Sequence, residues 1–137
     1  MTATPELARA RNSLLRYYQQ WQILTEAEGD AIRSGNWLQV QRLQASKQQL
    51  QECIVAATET LRAEAESSGA DRSEIENEFH GVVDHLIRLE SRNREAVATR
   101  WQQTKADLAE LESSRHNLRQ VQRAYSPARA AVWQSYS

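Results

Sequence analysis

Residues 75–125 read IENEFHGVVDHLIRLESRNREAVATRWQQTKADLAELESSRHNLRQVQRAY, and this stretch decides the fold. It contains no proline and a single glycine, Gly81, so it lacks the residues that most often end a helix. Apolar side chains recur in steps that mostly alternate four and three, which is the heptad spacing of one face of a long helix. We call this face the stripe, and its positions are Ile75, Phe79, Val82, Leu86, Leu89, Asn93, Val97, Trp101, Thr104, Leu108, Leu111, Arg115, Leu118, Gln122 and Tyr125.

Two shorter helices precede the long one. The first is predicted to begin at Thr4-Pro5, because Thr4 can cap a helix and proline suits the first helical position. Gly35 is predicted to end it in a left-handed conformation. Asn36 then caps the second helix, with Gln39 three residues further on as in a capping box. So short a connection makes the two helices antiparallel neighbours.

The long helix is longer than these two helices can cover. Residues 67–72 are predicted to form a loop, and the long helix to begin near Ser73, whose hydroxyl would pair with Glu76 as a second capping box. At about 1.5 Å per residue, the long helix would extend on the order of 75 Å and each shorter helix about 45 Å. The long helix therefore either bends near Asn93, where three successive steps of four interrupt the heptads, or leaves part of the stripe for another partner.

These features predict an all-α fold, with an antiparallel helical hairpin and one long third helix, straight or bent, in a coiled-coil-like bundle. Pro127 ends the helical pattern, so we expect a three-helix domain over residues 1–126 and a short C-terminal segment over residues 127–137. Three tryptophans fall on apolar faces, and packing in the core is the favoured interpretation for each. They are Trp21, Trp37 and Trp101.

The composition is that of a folded protein from a reducing compartment. Hydrophobic residues make up 40% of the chain and charged residues 26%, which argues against gross disorder. The net charge of −1 gives no general attraction to nucleic acid or to a membrane. Cys53 is the only cysteine, and no apolar run reaches the roughly 18 residues that a membrane span needs. We expect a cytoplasmic protein.

No motif in the sequence indicates catalysis. The chain has no glycine-rich phosphate loop and no nucleophile elbow. Glu76, His80 and Asp84 recur every four residues and could line up as metal ligands, but an exposed polar helix face is the favoured interpretation of the same spacing. We therefore expect no enzyme activity, no metal and no cofactor.

Four separated stretches together resemble the FlgN/FliT type of flagellar export chaperone. Residues 24–37, LTEAEGDAIRSGNW, resemble that family's "Leu-Thr-x-x-Glu" run and the turn of "Gly-Asn/Asp-Trp" type into its second helix. Lys47, Leu50 and Ile54 resemble the "Lys-x-x-Leu" register that follows, and residues 89–94, LESRNR, resemble "Leu-x-x-x-Asn" in the family's last helix. Residues 122–126, QRAYS, resemble the family's tail, although Ser126-Pro127 stands where a glycine commonly follows the tyrosine.

The resemblance implies a bacterial cytoplasmic chaperone that holds an amphipathic helix of a flagellar hook-associated or filament-cap protein. It also implies delivery of that cargo to the cytoplasmic domain of the type III export gate. Docking on the gate is assigned to Tyr125, by its match to the tail tyrosine, with Arg119 and Arg123 as flanking charge. The cargo is expected to lie along the uncovered part of the stripe, against Leu86, Leu89, Val97, Trp101, Leu108 and Leu111.

Two other functions remain open from the sequence. A coiled-coil structural or oligomerisation protein would cover the stripe by self-association. A nucleic-acid-binding protein would use the C-terminal arginines, although the chain lacks a recognisable nucleic-acid module. These arginines are Arg115, Arg119, Arg123 and Arg129, and no acid lies beyond Glu112.

Overall fold

The computed structural model describes residues 4–124, and within that range the protein consists of three α-helices without a strand. Helix α1 spans Pro5–Ser34, α2 spans Trp37–Ser68 and α3 spans Arg72–Ala124. The all-α fold expected from the sequence is confirmed. The chain divides into two units, residues 1–98 and residues 99–137, and α3 contributes to both.

Both ends of α1 are capped as the sequence predicts. The Thr4 hydroxyl accepts a hydrogen bond from the backbone N–H of Leu7 at 3.1 Å, and Pro5 is the first helical residue. At the other end Gly35 has a φ of 74°, a left-handed conformation that glycine adopts without a Cβ penalty. Its N–H donates to the carbonyl of Ile32 at 3.1 Å, which satisfies one of the last free carbonyls of the helix.

Helices α1 and α2 form an antiparallel hairpin around a two-residue turn. The Asn36 side chain accepts from the N–H of Gln39 at 3.2 Å, which confirms it as the cap of α2. Near the turn, Ala31 and Ile32 pack with residues 40–43. At the far end, the first turns of α1 pack with the last turns of α2 in a second buried cluster. Its members are Leu7, Ala10, Leu14, Leu61, Ala65 and Phe79.

The connection from α2 to α3 is shorter than predicted. Of the expected loop over residues 67–72, the first two residues belong to α2, which ends at Ser68 with Gly69 as its left-handed cap at φ 68°. The predicted cap at Ser73 is wrong, because the Asp71 side chain accepts from the N–H of Ser73 at 3.0 Å. A carboxylate is a strong cap and also favours the positive end of the helix dipole.

In the first unit, α3 packs on the hairpin through residues spaced by seven. Phe79, Leu86 and Asn93 are its buried side chains, and two turns of helix bring them back to the same face. The Phe79 ring lies 5.8 Å from the Tyr18 ring, centroid to centroid, in a tilted arrangement. The stripe positions between them, Val82 among them, are half-buried.

Two of the three tryptophans do not lie in the core. Trp37 is 45% exposed and Trp101 is 59% exposed, so the expectation of core packing is wrong for both. Trp37 is the first residue of α2, where the hairpin turn leaves one side open. Trp21 is half-buried and contacts charged groups rather than an apolar cluster.

Candidate functional site

The second unit carries an exposed apolar face along residues 99–124 of α3. Its large side chains are well exposed: Trp101 59%, Leu108 56%, Leu111 66% and Leu118 65%. They follow one another at intervals of seven, three and seven residues, and the heptad positions between them, 104 and 115, are polar. We call this face the seam, and it consists of Trp101, Thr104, Leu108, Leu111, Arg115 and Leu118.

Charged residues flank the seam in a definite order. Lys105 and Glu112 lie one position C-terminal to seam residues and border one side, whereas Arg100 and Asp107 precede seam residues and border the other. The Lys105 ammonium lies 5.7 Å from the centre of the Trp101 ring, a distance at which a cation is attracted to the ring face. The seam is therefore mostly apolar along its centre, with Thr104 and Arg115 as its polar positions, and carries both signs of charge along its borders.

The six predicted cargo residues do not form one open face. Leu86 is buried and Leu89 half-buried in the first unit, because the hairpin covers α3 there. Val97 is 42% exposed but also belongs to the first unit. Only three of the six belong to the second unit, and all three lie on the seam. They are Trp101, Leu108 and Leu111.

The predicted gate-docking residues are only partly described. Arg119 and Arg123 are exposed in the last turns of α3. Tyr125 lies outside the described residues. The predicted boundary after residue 126 lies outside them as well and stays a prediction.

A buried polar cluster joins all three helices in the first unit. Lys47 of α2 lies at its centre, with its ammonium 3.4 Å from Glu28 of α1 and in close contact with Glu90 of α3. The side chains of Lys47 and Glu28 are only 8% and 6% exposed. Burial of these charges is tolerated because each is paired and hydrogen-bonded.

Asn93 extends the cluster on the α3 side. Its amide nitrogen donates to the carbonyl of Thr25 at 2.8 Å and to the carboxylate of Glu28 at 3.0 Å. The Thr25 hydroxyl is fully buried and lies 2.7 Å from the carbonyl of Trp21 and 3.3 Å from the Glu90 carboxylate. A side chain of α3 thus satisfies a carbonyl and a carboxylate of α1 at once.

Trp21 covers the cluster toward solvent. Its indole N–H donates to the Glu90 carboxylate at 3.1 Å, and the Lys47 ammonium lies 4.6 Å from the centre of its ring. Within residues 4–124, no buried side-chain nitrogen or oxygen lacks a hydrogen-bond partner. A fully paired polar layer of this kind fixes the register of the helices that share it.

Gly29 provides the space that Asn93 needs. A Cβ at position 29 would lie 2.6 Å from the Asn93 side-chain oxygen, which is closer than real contacts allow. The glycine is therefore explained by the close approach of α3 to α1, since its φ is not positive.

Four of the residues in the stretches that carry the family resemblance meet in this cluster. The "Leu-Thr-x-x-Glu" run supplies Thr25 and Glu28, the "Lys-x-x-Leu" register supplies Lys47, and "Leu-x-x-x-Asn" supplies Asn93. In the sequence, Lys47 only interrupts the apolar positions of α2 that include Leu43 and Leu50, and nothing marks Thr25 or Glu28 as its neighbours. The useful signal was a polar residue on the apolar face of each of two helices, Lys47 on α2 and Asn93 on α3.

An open cleft of about 430 Å³ lies in the first unit, between the hairpin and the start of α3. Its walls are mostly apolar, and Glu76, His80 and Asp84 lie on its lining. His80 pairs with Asp84 at 3.7 Å. Across residues 4–124, no three acidic, histidine or cysteine side chains are grouped to hold a metal ion. The cleft has room for one or two apolar side chains of a partner.

No family model, curated protein or solved structure matches this chain. In the part of the chain that the structure describes, no helix is both long and apolar enough to cross a membrane. The seam is the surface whose geometry most directly indicates a binding partner, because it exposes large apolar side chains in a regular pattern.

Proposed function

We propose that this protein is a carrier that holds an amphipathic helix of another protein against the seam. The observation that carries the proposal is the exposure of Trp101, Leu108, Leu111 and Leu118 at heptad spacing on one helix. Burying each of these side chains would contribute about 1.5–3 kcal/mol. A partner helix with its own heptad face fits such a surface in the helix-in-groove mode.

The more specific proposal is a bacterial cytoplasmic chaperone for flagellar export. Support comes from the resemblance to the FlgN/FliT type, since four of the residues in the stretches that carry it, Thr25, Glu28, Lys47 and Asn93, have a joint structural role in the polar cluster. The cargo would be an amphipathic helix of a hook-associated or filament-cap protein. Gate docking would use Arg119, Arg123 and Tyr125. No catalytic step, metal or cofactor is part of this proposal.

The binding test uses synthetic peptides that correspond to amphipathic helices of hook-associated and filament-cap proteins from the same genome, titrated by calorimetry. We expect Leu108→Asp to weaken binding at least tenfold, because it places a carboxylate at the centre of the seam. Leu38→Asp is the matched control, since Leu38 is a similarly exposed leucine in α2 (59% against 56%). Circular dichroism should show near-native helicity for both variants.

Equal binding by the Leu108 and Leu38 variants would contradict the seam as the binding surface. A scrambled peptide of the same composition separates helix recognition from general stickiness. A tight dimer that ignores every peptide would instead support the coiled-coil structural protein. That alternative is favoured by the same heptad spacing, and calorimetry at several protein concentrations distinguishes the two.

Gate docking is tested separately from cargo binding. We expect Arg123→Glu to leave peptide affinity unchanged, because Arg123 does not lie on the seam, and to reduce capture by the cytoplasmic domain of the export gate. Loss of both activities together would contradict the division of the two surfaces.

A further inference from the structure

We propose that a second copy of this chain occupies the seam when no partner helix is present, with the two 99–124 helices antiparallel. The inference rests on the proposed function in that both use the same surface. It adds what covers the seam when no partner helix is bound. The antiparallel and parallel pairings bring different side chains of the seam and its borders to face each other.

In the antiparallel register, Leu108 faces Leu111 of the second copy, and Leu111 faces the second copy's Leu108. Trp101 and Leu118 face each other at the two ends. Antiparallel helices bring the alternating seam positions opposite one another in this way. Four of the six layers are then apolar on both sides, and all of these side chains are exposed in the single chain.

The remaining two layers place Arg115 opposite Thr104 of the second copy. Threonine is small, so the long arginine stem can lie across it while the guanidinium reaches water. Neither layer therefore buries an unpaired charge. In a parallel pairing the two copies of Arg115 would face each other instead, which is unfavourable for two permanent cations.

The charges that border the seam distinguish the two orientations most clearly. In the antiparallel pairing, Lys105 lies next to Glu112 of the second copy, and symmetry repeats this attraction. In a parallel pairing, each border residue meets the residue five positions further along on the other copy. That would oppose Arg100 to Lys105 and Asp107 to Glu112, and both pairs repel. Charge complementarity therefore selects the antiparallel copy.

Such a pairing is short and is held by few layers, so a longer or better matched helix can displace the second copy. The empty protein then keeps its apolar seam covered without losing the ability to take a partner. The dimer should dissociate as a partner helix is added, because both compete for Trp101, Leu108, Leu111 and Leu118.

Charge reversal gives results of opposite sign for the two orientations. Sedimentation velocity over a concentration series would measure the dimer dissociation constant of the full chain, of Lys105→Glu, of Glu112→Lys and of the double variant. In the antiparallel dimer each single change turns two attractions into repulsions, so we expect it to weaken the dimer about tenfold. The double variant should regain most of the original affinity.

Several outcomes would overturn the inference. Single variants that dimerise more tightly than the original chain would indicate the parallel pairing, since each relieves a like-charge contact there. A chain that stays monomeric at every concentration, or dimers unaffected by the changes, would exclude the pairing altogether. Leu38→Asp should leave the dimer intact, which controls for a general effect of added charge.

Carbodiimide cross-linking provides a second readout that does not depend on affinity. Lys47 and Lys105 are the only lysines, and Lys47 is buried, so the pattern of products is simple. In a mixture of isotopically labelled and unlabelled chains, we expect an intermolecular link between Lys105 and Glu112. Its absence in a dimeric sample would contradict the register.

The inference and the proposed function can fail separately. If the charge variants behave as expected but no cargo peptide binds, the antiparallel dimer is supported and the carrier function is contradicted. If the chain is monomeric and binds the peptides, the carrier function is supported and the dimer is contradicted. Both stand if added peptide replaces the dimer with a one-to-one complex.

Discussion

The two halves of α3 carry the same heptad pattern but are covered to very different extents. In residues 72–98 the stripe is buried at Phe79, Leu86 and Asn93, whereas in residues 99–124 Leu108 and Leu111 are 56% and 66% exposed. The first half lies against the hairpin, and its polar stripe position, Asn93, is hydrogen-bonded to two groups of α1. Heptad spacing thus predicts that a helix has an apolar face, but it does not predict which chain covers that face.

The polar residues on the two parts of the stripe also differ in their partners. Asn93 is 7% exposed and bonded to Thr25 and Glu28. Arg115 and Thr104 of the seam are exposed. The first half is therefore specified by the chain's own residues, while the second half can accept more than one occupant.

Replacing each of the two lysines should give the largest difference in stability. Lys47→Ala would leave the buried Glu28 carboxylate and the half-buried Glu90 without their cation, which should destabilise the protein by about 3 kcal/mol. Lys105→Ala removes an exposed ammonium and should leave the unfolding midpoint unchanged. Urea unfolding followed by circular dichroism, at a concentration where the chain is monomeric, measures both. Equal effects would contradict the pairing of Lys47 with the two acids.

Two leucines sharpen the same comparison for apolar packing. Leu14 is 2% exposed and Leu111 is 66% exposed. Leu14→Ala should cost about 3 kcal/mol, because it removes buried methyl groups and leaves a cavity. Leu111→Ala should change the stability of the monomer very little but weaken peptide binding. If Leu111→Ala destabilised the monomer as much as Leu14→Ala, the seam would have to be covered by the chain itself.

The two glycines inside helices should respond in opposite directions to alanine. Gly81→Ala meets no atom within 4 Å and should stabilise the protein by about 1 kcal/mol through helix propensity. Gly29→Ala would collide with the Asn93 side chain, so we expect a loss of about 1 kcal/mol despite the same gain in propensity. The double change Gly29→Ala with Asn93→Ala removes the collision but also the hydrogen bonds. Equal stabilisation by both single changes would contradict the close approach of α3 at Gly29.

Replacing Tyr18 should have the smallest effect on stability, and only at high pH. Burial raises the pKa of the Tyr18 phenol above its usual value of 10.0, and a hydrogen bond with Thr58 partly offsets the increase. A raised pKa in the folded state means that stability is intact below about pH 10 and is lost as pH rises through the folded pKa. Tyr18→Phe should remove this loss. Urea midpoints at pH 8 and above pH 10 should therefore diverge between the two proteins, and parallel curves would contradict the shift.

Much of the fold follows from local sequence signals. Thr4, Gly35 and Asn36 act as predicted because capping depends on residues within a few positions along the chain. The predicted start of α3 was wrong because Asp71 and Ser73 are both good caps. The choice between them depends on where Gly69 ends α2. Short-range rules leave such competitions undecided when two candidates lie close together.

The polar cluster was harder to predict because its partners are far apart in the sequence. Lys47 interrupts the apolar face of α2 and Asn93 interrupts the stripe of α3, and each looks like a defect when its helix is considered alone. Thr25 and Glu28 gave no separate signal, since a threonine and a glutamate are ordinary residues on a helix surface. Only the packing of three helices shows that these residues share one layer. Half of the seam residues, Trp101, Leu108 and Leu111, were among the cargo-binding residues predicted from the sequence. That prediction also included Leu86 and Leu89, which lie on a face that the hairpin covers.

Amide hydrogen exchange along α3 tests the central claim most directly. At a concentration where the chain is monomeric, we predict that amides in residues 99–124 exchange at least about tenfold faster than those in residues 76–96, because no other helix within residues 4–124 covers the seam of the second segment. Adding a cargo peptide should slow exchange in residues 99–124 and leave residues 76–96 unchanged. Equal protection of both segments in the free monomer would contradict the claim that the seam lacks a partner among residues 4–124.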